Sequence, residues 1–241
     1  MPHNAHIPLI KQLDVIAFDA DDTLWRNESL FWDFKDAIKA ILAKHIDVES
    51  EKAVEYLDEM EINNIGFYGY GLKSYTLSMI EATINLTDGI VDTDDIKAVL
   101  ALLKEKLNAA TEVFIGVEET LMQLSGKIDM MLITKGDAHE QHLKINASGL
   151  SHYFRWIEVV PRKDEKIYEE LLHKYIIKPE RFMMIGNSLR SDVLPVCKLG
   201  GMGVHIANDT QWAYENQFPE EWKSLPYEKL DSFLDLIPFL Y

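Results

Sequence analysis

The chain has 241 residues, 47% of them hydrophobic, and a formal net charge of −16. That is enough apolar material for one large domain or two small ones. The acidic balance argues against nucleic acid or an anionic membrane as the main partner, because phosphate backbones call for clustered Lys and Arg. A small phosphorylated ligand remains compatible, since a single metal ion or lysine dominates the field inside a cleft.

Taken in chain order, the first clear element is Val15-Ile16-Ala17-Phe18, an apolar run of the kind a buried strand shows. It ends abruptly in Asp19-Ala20-Asp21-Asp22-Thr23-Leu24. Then follow about 85 residues, 27–111, that read as helix after helix, too many for a simple crossover between strands. The periodic positions are Phe34, Ile38, Ile41 and Leu42, then Val54 and Leu57, then Leu72, Tyr75, Met79 and Ile80, then Ile96, Val99, Leu100, Leu103 and Leu107. They predict amphipathic helices packed as a small inserted bundle. The segment Gly66-Phe67-Tyr68-Gly69-Tyr70-Gly71-Leu72-Lys73 stands out within it. It reads either as a bent loop presenting Tyr68, Tyr70 or Lys73, or as a packing loop between helices. Acidic runs such as Glu49-Ser50-Glu51 and Asp92-Thr93-Asp94-Asp95 suit solvated faces or helix starts.

Beyond the insertion, strands and helices alternate. Helices are predicted over 117–124, 137–147 and 164–175, with Gly126, Gly149 and Pro179 at their ends. A fourth, 193–199, stops at Gly200 and Gly201, and a last helix is expected over 227–236 in a tail that also holds Trp212 and Trp222. Apolar runs Met130-Met131-Leu132-Ile133, Ile157-Glu158-Val159-Val160 and Phe182-Met183-Met184-Ile185 lie between them, and Val204-His205-Ile206 closes the series. Strand, helix, strand in repetition implies a parallel sheet, whose ligands bind beyond the carboxyl ends of its strands. That rim would receive Asp19 and Asp21 from the first run, Thr134 and Lys135 from the second, Lys163 from the third, and Asn187 with Asp192 from the fourth.

The pair Asp19 and Asp21 suits a nucleophile beside an acid/base, while an acidic turn with Asp22 or Thr23 capping a helix is the local alternative. The ordered set Asp19-x-Asp21-x-Thr23, Thr134, Lys163 and Gly186-Asn187-Ser188 with Asp192 resembles the four signatures of the haloacid dehalogenase-like hydrolases, most of which are phosphatases. The phosphoglycolate phosphatase branch is the most similar. The resemblance implies an α/β fold: a Rossmann-like core of residues 1–26 and 112–241, with 27–111 as a helical C1 cap over the active site. It further implies a magnesium-dependent phosphatase working through an aspartyl-phosphate.

On that reading Asp19 attacks phosphorus, and Asp21 protonates the leaving oxygen and later takes a proton from water. Thr134, Lys163 and main-chain N–H groups near Ala20 and Lys135 hold the phosphoryl oxygens. Lys166, one helical turn on, is the competing lysine. The implied magnesium ligands are the Asp19 carboxylate, the Asp21 carbonyl and a fourth-motif residue. Here that residue is Asn187 where the family most often has aspartate, so weaker metal affinity is expected, or a larger share taken by Asp192 directly or through water. A dehalogenase, a phosphomutase and a catalytically silent binding protein are the alternatives.

No apolar stretch approaches the ~20 residues needed to span a bilayer, and Met1-Pro2-His3-Asn4-Ala5-His6 lacks the basic and apolar regions of a signal peptide. A cytoplasmic location follows as the expectation. The single cysteine, Cys197, excludes an intramolecular disulfide and predicts a buried structural thiol. The segment Trp25-Arg26-Asn27 reads as a flap or hinge between core and insertion, and His139 and His142 as surface residues on one helix face. The expected partner is a small phosphorylated metabolite, with the oligomeric state open.

Overall fold

A computed structural model describes residues 7–47, 51–207 and 218–241, the side chain of residue 51 excepted. The chain start at Met1–His6, Glu49 and Ser50 of the acidic run, and Trp212 lie outside the described residues. Contacts divide the chain into two compact units, one made of 1–26, 111–135 and 145–241 and the other of 27–110 and 136–144.

The first unit is built on six parallel strands in the order β3-β2-β1-β4-β5-β6. They are β1 Val15–Phe18, β2 Asp129–Lys135, β3 Trp156–Val160, β4 Phe182–Gly186, β5 Met202–Ile206 and β6 Glu228–Leu230. Every residue of β1 is buried, because alternate side chains feed two separate cores. Ile16 and Phe18 join Met130, Leu132, Met183 and Ile185 on one face. Val15 and Ala17 join Met131, Ile133 and Met184 on the other, under Tyr168, Leu171 and Leu172. The helices of this unit include α5 Val117–Leu124, α7 Glu165–Tyr175, α8 Leu194–Lys198 and α9 Leu236–Leu240. The crossovers from β1 run first to β2 and β3, and the chain then returns to β4 on the far side of β1. The order therefore reverses between β1 and β4, and in open α/β sheets that switch point is the ligand crevice.

The tail corrects one expectation. The helix expected over 227–236 is instead β6, a 3-10 turn at Phe233–Asp235 and the short α9. Val204–Ile206 needs a partner for its outer edge, and Glu228–Leu230 supplies it as a polar edge strand. Such a strand has no buried face to show in its sequence.

The second unit contains α1 Glu28–Leu42, α2 Glu51–Tyr68, α3 Leu72–Leu86 and α4 Thr93–Leu107, and α6 Ala138–Ser148 falls partly in each unit. Here α3 is central, touching α1, α2 and α4. The core gathers Phe34, Ile38, Ile41, Leu42, Leu57, Leu72, Tyr75, Met79 and Val99. Leu100, expected in the core, is 41% exposed, and Leu102 packs there instead. Asp92 caps α4 by accepting from the Asp94 and Asp95 N–H groups, whereas Asp95 itself is buried against Lys44.

The glycine-aromatic segment is half helix, since α2 runs through Tyr68. Its turn has a packing role. Gly71 has φ +115°, and a Cβ there would meet Glu140 Oε2 at 2.7 Å. That carboxylate accepts from the Leu72 and Lys73 N–H groups at 2.7 and 2.9 Å, and so supplies the N-terminal cap that glycine lacks. Lys73 Nζ bonds Asp137 Oδ1 at 2.8 Å. These contacts explain why 136–144, read from sequence as core, groups with the helices.

Among the described residues, no helix is long and apolar enough to cross a membrane.

Candidate active site

Asp19 sits at the carboxyl end of β1, its N–H continuing the ladder to the Ile185 carbonyl at 2.9 Å. It is buried, and each carboxylate oxygen has a donor. Oδ1 bonds the Lys163 ammonium, and Oδ2 accepts from the Thr23 hydroxyl at 2.8 Å. Two donors on different oxygens fix the plane of the carboxylate.

Lys163 follows β3, two strands from β1 and roughly 9–10 Å away across the sheet. Only a long side chain crosses that gap. Its side chain is 1% exposed, and Nζ also bonds Asp192 Oδ1 at 2.7 Å. Burial works against the ammonium charge, but the Asp19 and Asp192 carboxylates outweigh it and raise the lysine above its ordinary value. Asp192 is pushed up to about 7, first by burial and then by the Asp19 charge, with Lys163 opposing. The two carboxylates compete for one ammonium. The competing lysine, Lys166, lies 72% exposed and pairs loosely with Glu170, and Arg162 pairs with Asp164 at the surface.

Asp192 is placed by a π-helical turn, Leu189–Val193, capped where the Ser188 Oγ accepts from the Ser191 N–H at 3.0 Å. Such turns recur at functional sites. The second Asp192 oxygen accepts from the Ser188 N–H at 3.0 Å. Gly186 is required there, since a Cβ would lie 2.2 Å from Asp192 Oδ2. Tyr168 Oη donates to the Ser191 carbonyl at 3.0 Å, and Lys135 Nζ to Ser191 Oγ at 3.1 Å. Lys135 therefore reaches the same turn from the end of β2, where Thr134 is buried beside it.

Asn187 ends β4 across the switch point. Its N–H donates to Thr23 Oγ1 at 3.0 Å, and its Oδ1 lies 3.3 Å from the same hydroxyl. Thr23 is thus a bridge between β1 and β4, not a helix cap. Behind it, His205 Nε2 donates to the Asn187 carbonyl at 2.9 Å. Burial lowers the His205 value against that hydrogen bond, and Lys229 lowers it further, so the ring is neutral at pH 7. Asp21 is half-buried, and its Oδ1 accepts from the Trp25 indole N–H at 2.8 Å.

The network unites Asp19, Lys163, Asp192 and Asn187 directly and takes in Lys135 through Ser191. Thr23 and Ser188 were read as motif positions without their bridging and capping roles, and sequence reasoning missed Ser191, Tyr168 and His205. For Thr23 a signal existed, a hydroxyl four residues after the first aspartate. His205 had none, because an isolated histidine in a strand reads as core.

With this geometry in view, comparison places the chain. A family model described as haloacid dehalogenase-like hydrolase matches residues 13–195. The chain belongs to that family. A haloacid dehalogenase-like family hydrolase from Xanthomonas campestris is 34% identical, with 95% of this chain and 92% of that one covered and a TM-score of 0.80. The glyceraldehyde 3-phosphate phosphatase of Methanothermobacter thermautotrophicus is 27% identical over 82% of this chain and 87% of that protein. A predicted phosphoglycolate phosphatase from Haemophilus somnus shares the fold, with a TM-score of 0.61 at 17% identity and coverage of 95% and 99%.

The haloacid dehalogenase-like hydrolases generally use magnesium, and the donor chemistry fits a hard cation. No group of three or more His, Cys, Asp or Glu able to hold a metal exists among the described residues. What is present is one carboxylate oxygen, Asp19 Oδ2, and one amide oxygen, Asn187 Oδ1, both within hydrogen-bond distance of a single hydroxyl. The carboxylates around them outnumber the one buried ammonium.

Proposed function

We propose that this hydrolase is a magnesium-dependent phosphatase acting on a small phosphate monoester through an aspartyl-phosphate on Asp19. The observation that carries the reading is the Lys163 ammonium buried between Asp19 and Asp192 at the strand-order switch point. A buried cation beside an oriented carboxylate is what an incoming phosphoryl group requires, since catalysis of its transfer is mostly positioning and charge stabilisation.

A phosphoryl oxygen is received by the Lys163 ammonium, the Thr134 hydroxyl and main-chain N–H groups near Ala20 and Lys135. Asp19 attacks phosphorus, forming the acyl phosphate while the bond to the ester oxygen breaks and its electron pair leaves with that oxygen. Asp21 gives its proton to the departing oxygen. The resulting Asp21 carboxylate then takes a proton from water as that water attacks phosphorus, releasing inorganic phosphate and regenerating Asp19. The Asp19 carboxylate, the Asp21 carbonyl and the Asn187 amide oxygen would hold magnesium, which when bound supplies positive charge to the phosphoryl oxygens. Asp192 and Thr23 keep Lys163 and Asp19 in place throughout. The helical unit corresponds to the C1 cap that the family resemblance implies. The name of the Methanothermobacter relative supports a small phosphorylated metabolite as substrate.

Purified protein with magnesium and para-nitrophenyl phosphate tests this. Phosphate release should disappear with chelator and fall at least about a thousandfold in Asp19→Asn. Release that survives Asp19→Asn, or no turnover across a broad panel of phosphate esters, would end the phosphatase reading.

A further inference from the structure

Between β1 and the start of α1 the chain folds into a closed loop with Trp25 at its root. The Ala20 carbonyl accepts from Leu24 N–H at 2.8 Å, and Asp22 N–H donates to the Trp25 carbonyl at 2.7 Å. Asp22 takes φ +59° to allow this reversal. On its other side Trp25 bridges antiparallel to Val113, and Phe114 N–H donates to the Leu24 carbonyl at 2.9 Å. The indole is 1% exposed and sits in the core cluster with Ile16, Phe18 and Leu121. Its one polar atom, Nε1–H, is directed at Asp21 Oδ1. The backbone of this loop is therefore held independently of the indole hydrogen bond.

We propose that Trp25 is the positioning residue of the acid/base Asp21, fixing both its rotamer and which of its two oxygens carries the proton. The inference rests on the reading of Asp21 as the leaving-group acid. An indole N–H donates and never accepts. Oδ1 accepts from that donor, and because the carbonyl oxygen is the better acceptor of a protonated carboxyl group, the arrangement favours the transferable proton on Oδ2. Of the two positions and several rotamers open to a free aspartic acid, one arrangement is kept through both halves of the reaction. During the first half, the Oδ2–H bond breaks as the proton passes to the ester oxygen, which departs with the electron pair of its bond to phosphorus. During the second, Oδ2 takes a proton from the attacking water. Because the ring is anchored in rigid core and not on a mobile loop, this support holds the carboxylate to within a fraction of an ångström, the tolerance proton transfer demands. The rival account is that a buried indole merely needs an acceptor and Asp21 happens to be near.

A series of ring-substituted phenyl phosphates separates the two, because the substrates differ little in shape but widely in the basicity of the leaving phenol. Losing general-acid assistance slows poor leaving groups far more than good ones. The quantity to measure is the dependence of kcat/KM on leaving-group pKa in the wild type, Trp25→Phe, Asp21→Asn and the double variant. The proposal expects Trp25→Phe to lower kcat/KM about tenfold for phenyl phosphate and less than about threefold for 4-nitrophenyl phosphate. It also expects no further loss when Trp25→Phe is added to Asp21→Asn. A uniform loss across the series, or none, in Trp25→Phe while Asp21→Asn shows the steep dependence overturns the proposal and leaves the phosphatase reading standing. An unchanged slope in Asp21→Asn overturns the acid assignment itself, and this proposal with it. Should Trp25→Phe fail to fold, site-specific incorporation of benzothienylalanine at position 25 exchanges the N–H for sulfur at nearly constant volume, with the same two outcomes deciding.

Discussion

The central helix of the helical unit and the sheet rim satisfy their buried polar groups in opposite ways. In the central helix of the helical unit and at its C-cap, Thr76, Ser78, Thr83 and Thr87 are buried, and each hydroxyl bonds the carbonyl four residues back. Partners that close merely let a polar residue sit in a core. At the sheet rim, Lys163 reaches Asp19 across 144 residues of sequence and Asn187 reaches Thr23 across 164. A bond of that kind exists only once the fold is complete, and it brings charge where an apolar pair would pack more cheaply. In these two regions, local satisfaction serves architecture and distant convergence of charge serves chemistry.

Three changes sharpen this contrast, in falling order of effect. Lys163→Met leaves two buried carboxylates without their cation. It should cost about 3–5 kcal/mol in denaturant unfolding and remove turnover, whereas Lys166→Met, at an exposed site, should do neither.

Glu61 tests a strained charge in the helical unit. Burial pushes it up to about 8, with Glu28 and Asp58 adding to the shift and Lys35 opposing it. Because its folded value lies above the unfolded one of 4.5, the native state holds the extra proton between the two. Stability from this group is therefore full below pH 4.5, declines as pH rises to 8, and is lost above it. Since the residue is only partly buried by its exposed area, about 1–3 kcal/mol is the expected size. Glu61→Gln should flatten the fall in urea stability between pH 5 and pH 8.5, and an unchanged slope would remove Glu61 as its source.

The smallest effect is expected for Thr83→Val, which loses one hydroxyl bond but leaves the Met79 carbonyl its helical partner. Unfolding should shift by less than about 1 kcal/mol with kcat/KM unchanged. A loss of activity there would show that the two ways of satisfying polar groups are not separable.

Much of this could be read along the chain. Strands β1, β2 and β4 were legible because a strand buried on both faces is written as a continuous run, and the sharp change from Phe18 to Asp19 or from Ile185 to Asn187 marks where it meets a rim. The parallel order and the inserted helices followed from spacing. The haloacid dehalogenase-like signature came from the same positions. Less visible were β6, whose Glu228 and Lys229 are exposed at a sheet edge, and the turn of Leu100 toward solvent. In both cases a neighbour in space, not the local pattern, chose the outcome.

Residue type and order, then, were enough to say which groups stand at the strand ends and what chemistry they suit. Which oxygen meets which proton was decided by packing alone: Thr23 bridging Asp19 and Asn187, Asp192 holding Lys163, Trp25 holding Asp21. Hydrophobic burial is short in information and shows in any apolar run. Hydrogen bonds are directional over a few tenths of an ångström, so their partners are chosen only when the sheet, the π-turn and the loop at Trp25 have fixed the donors and acceptors in space.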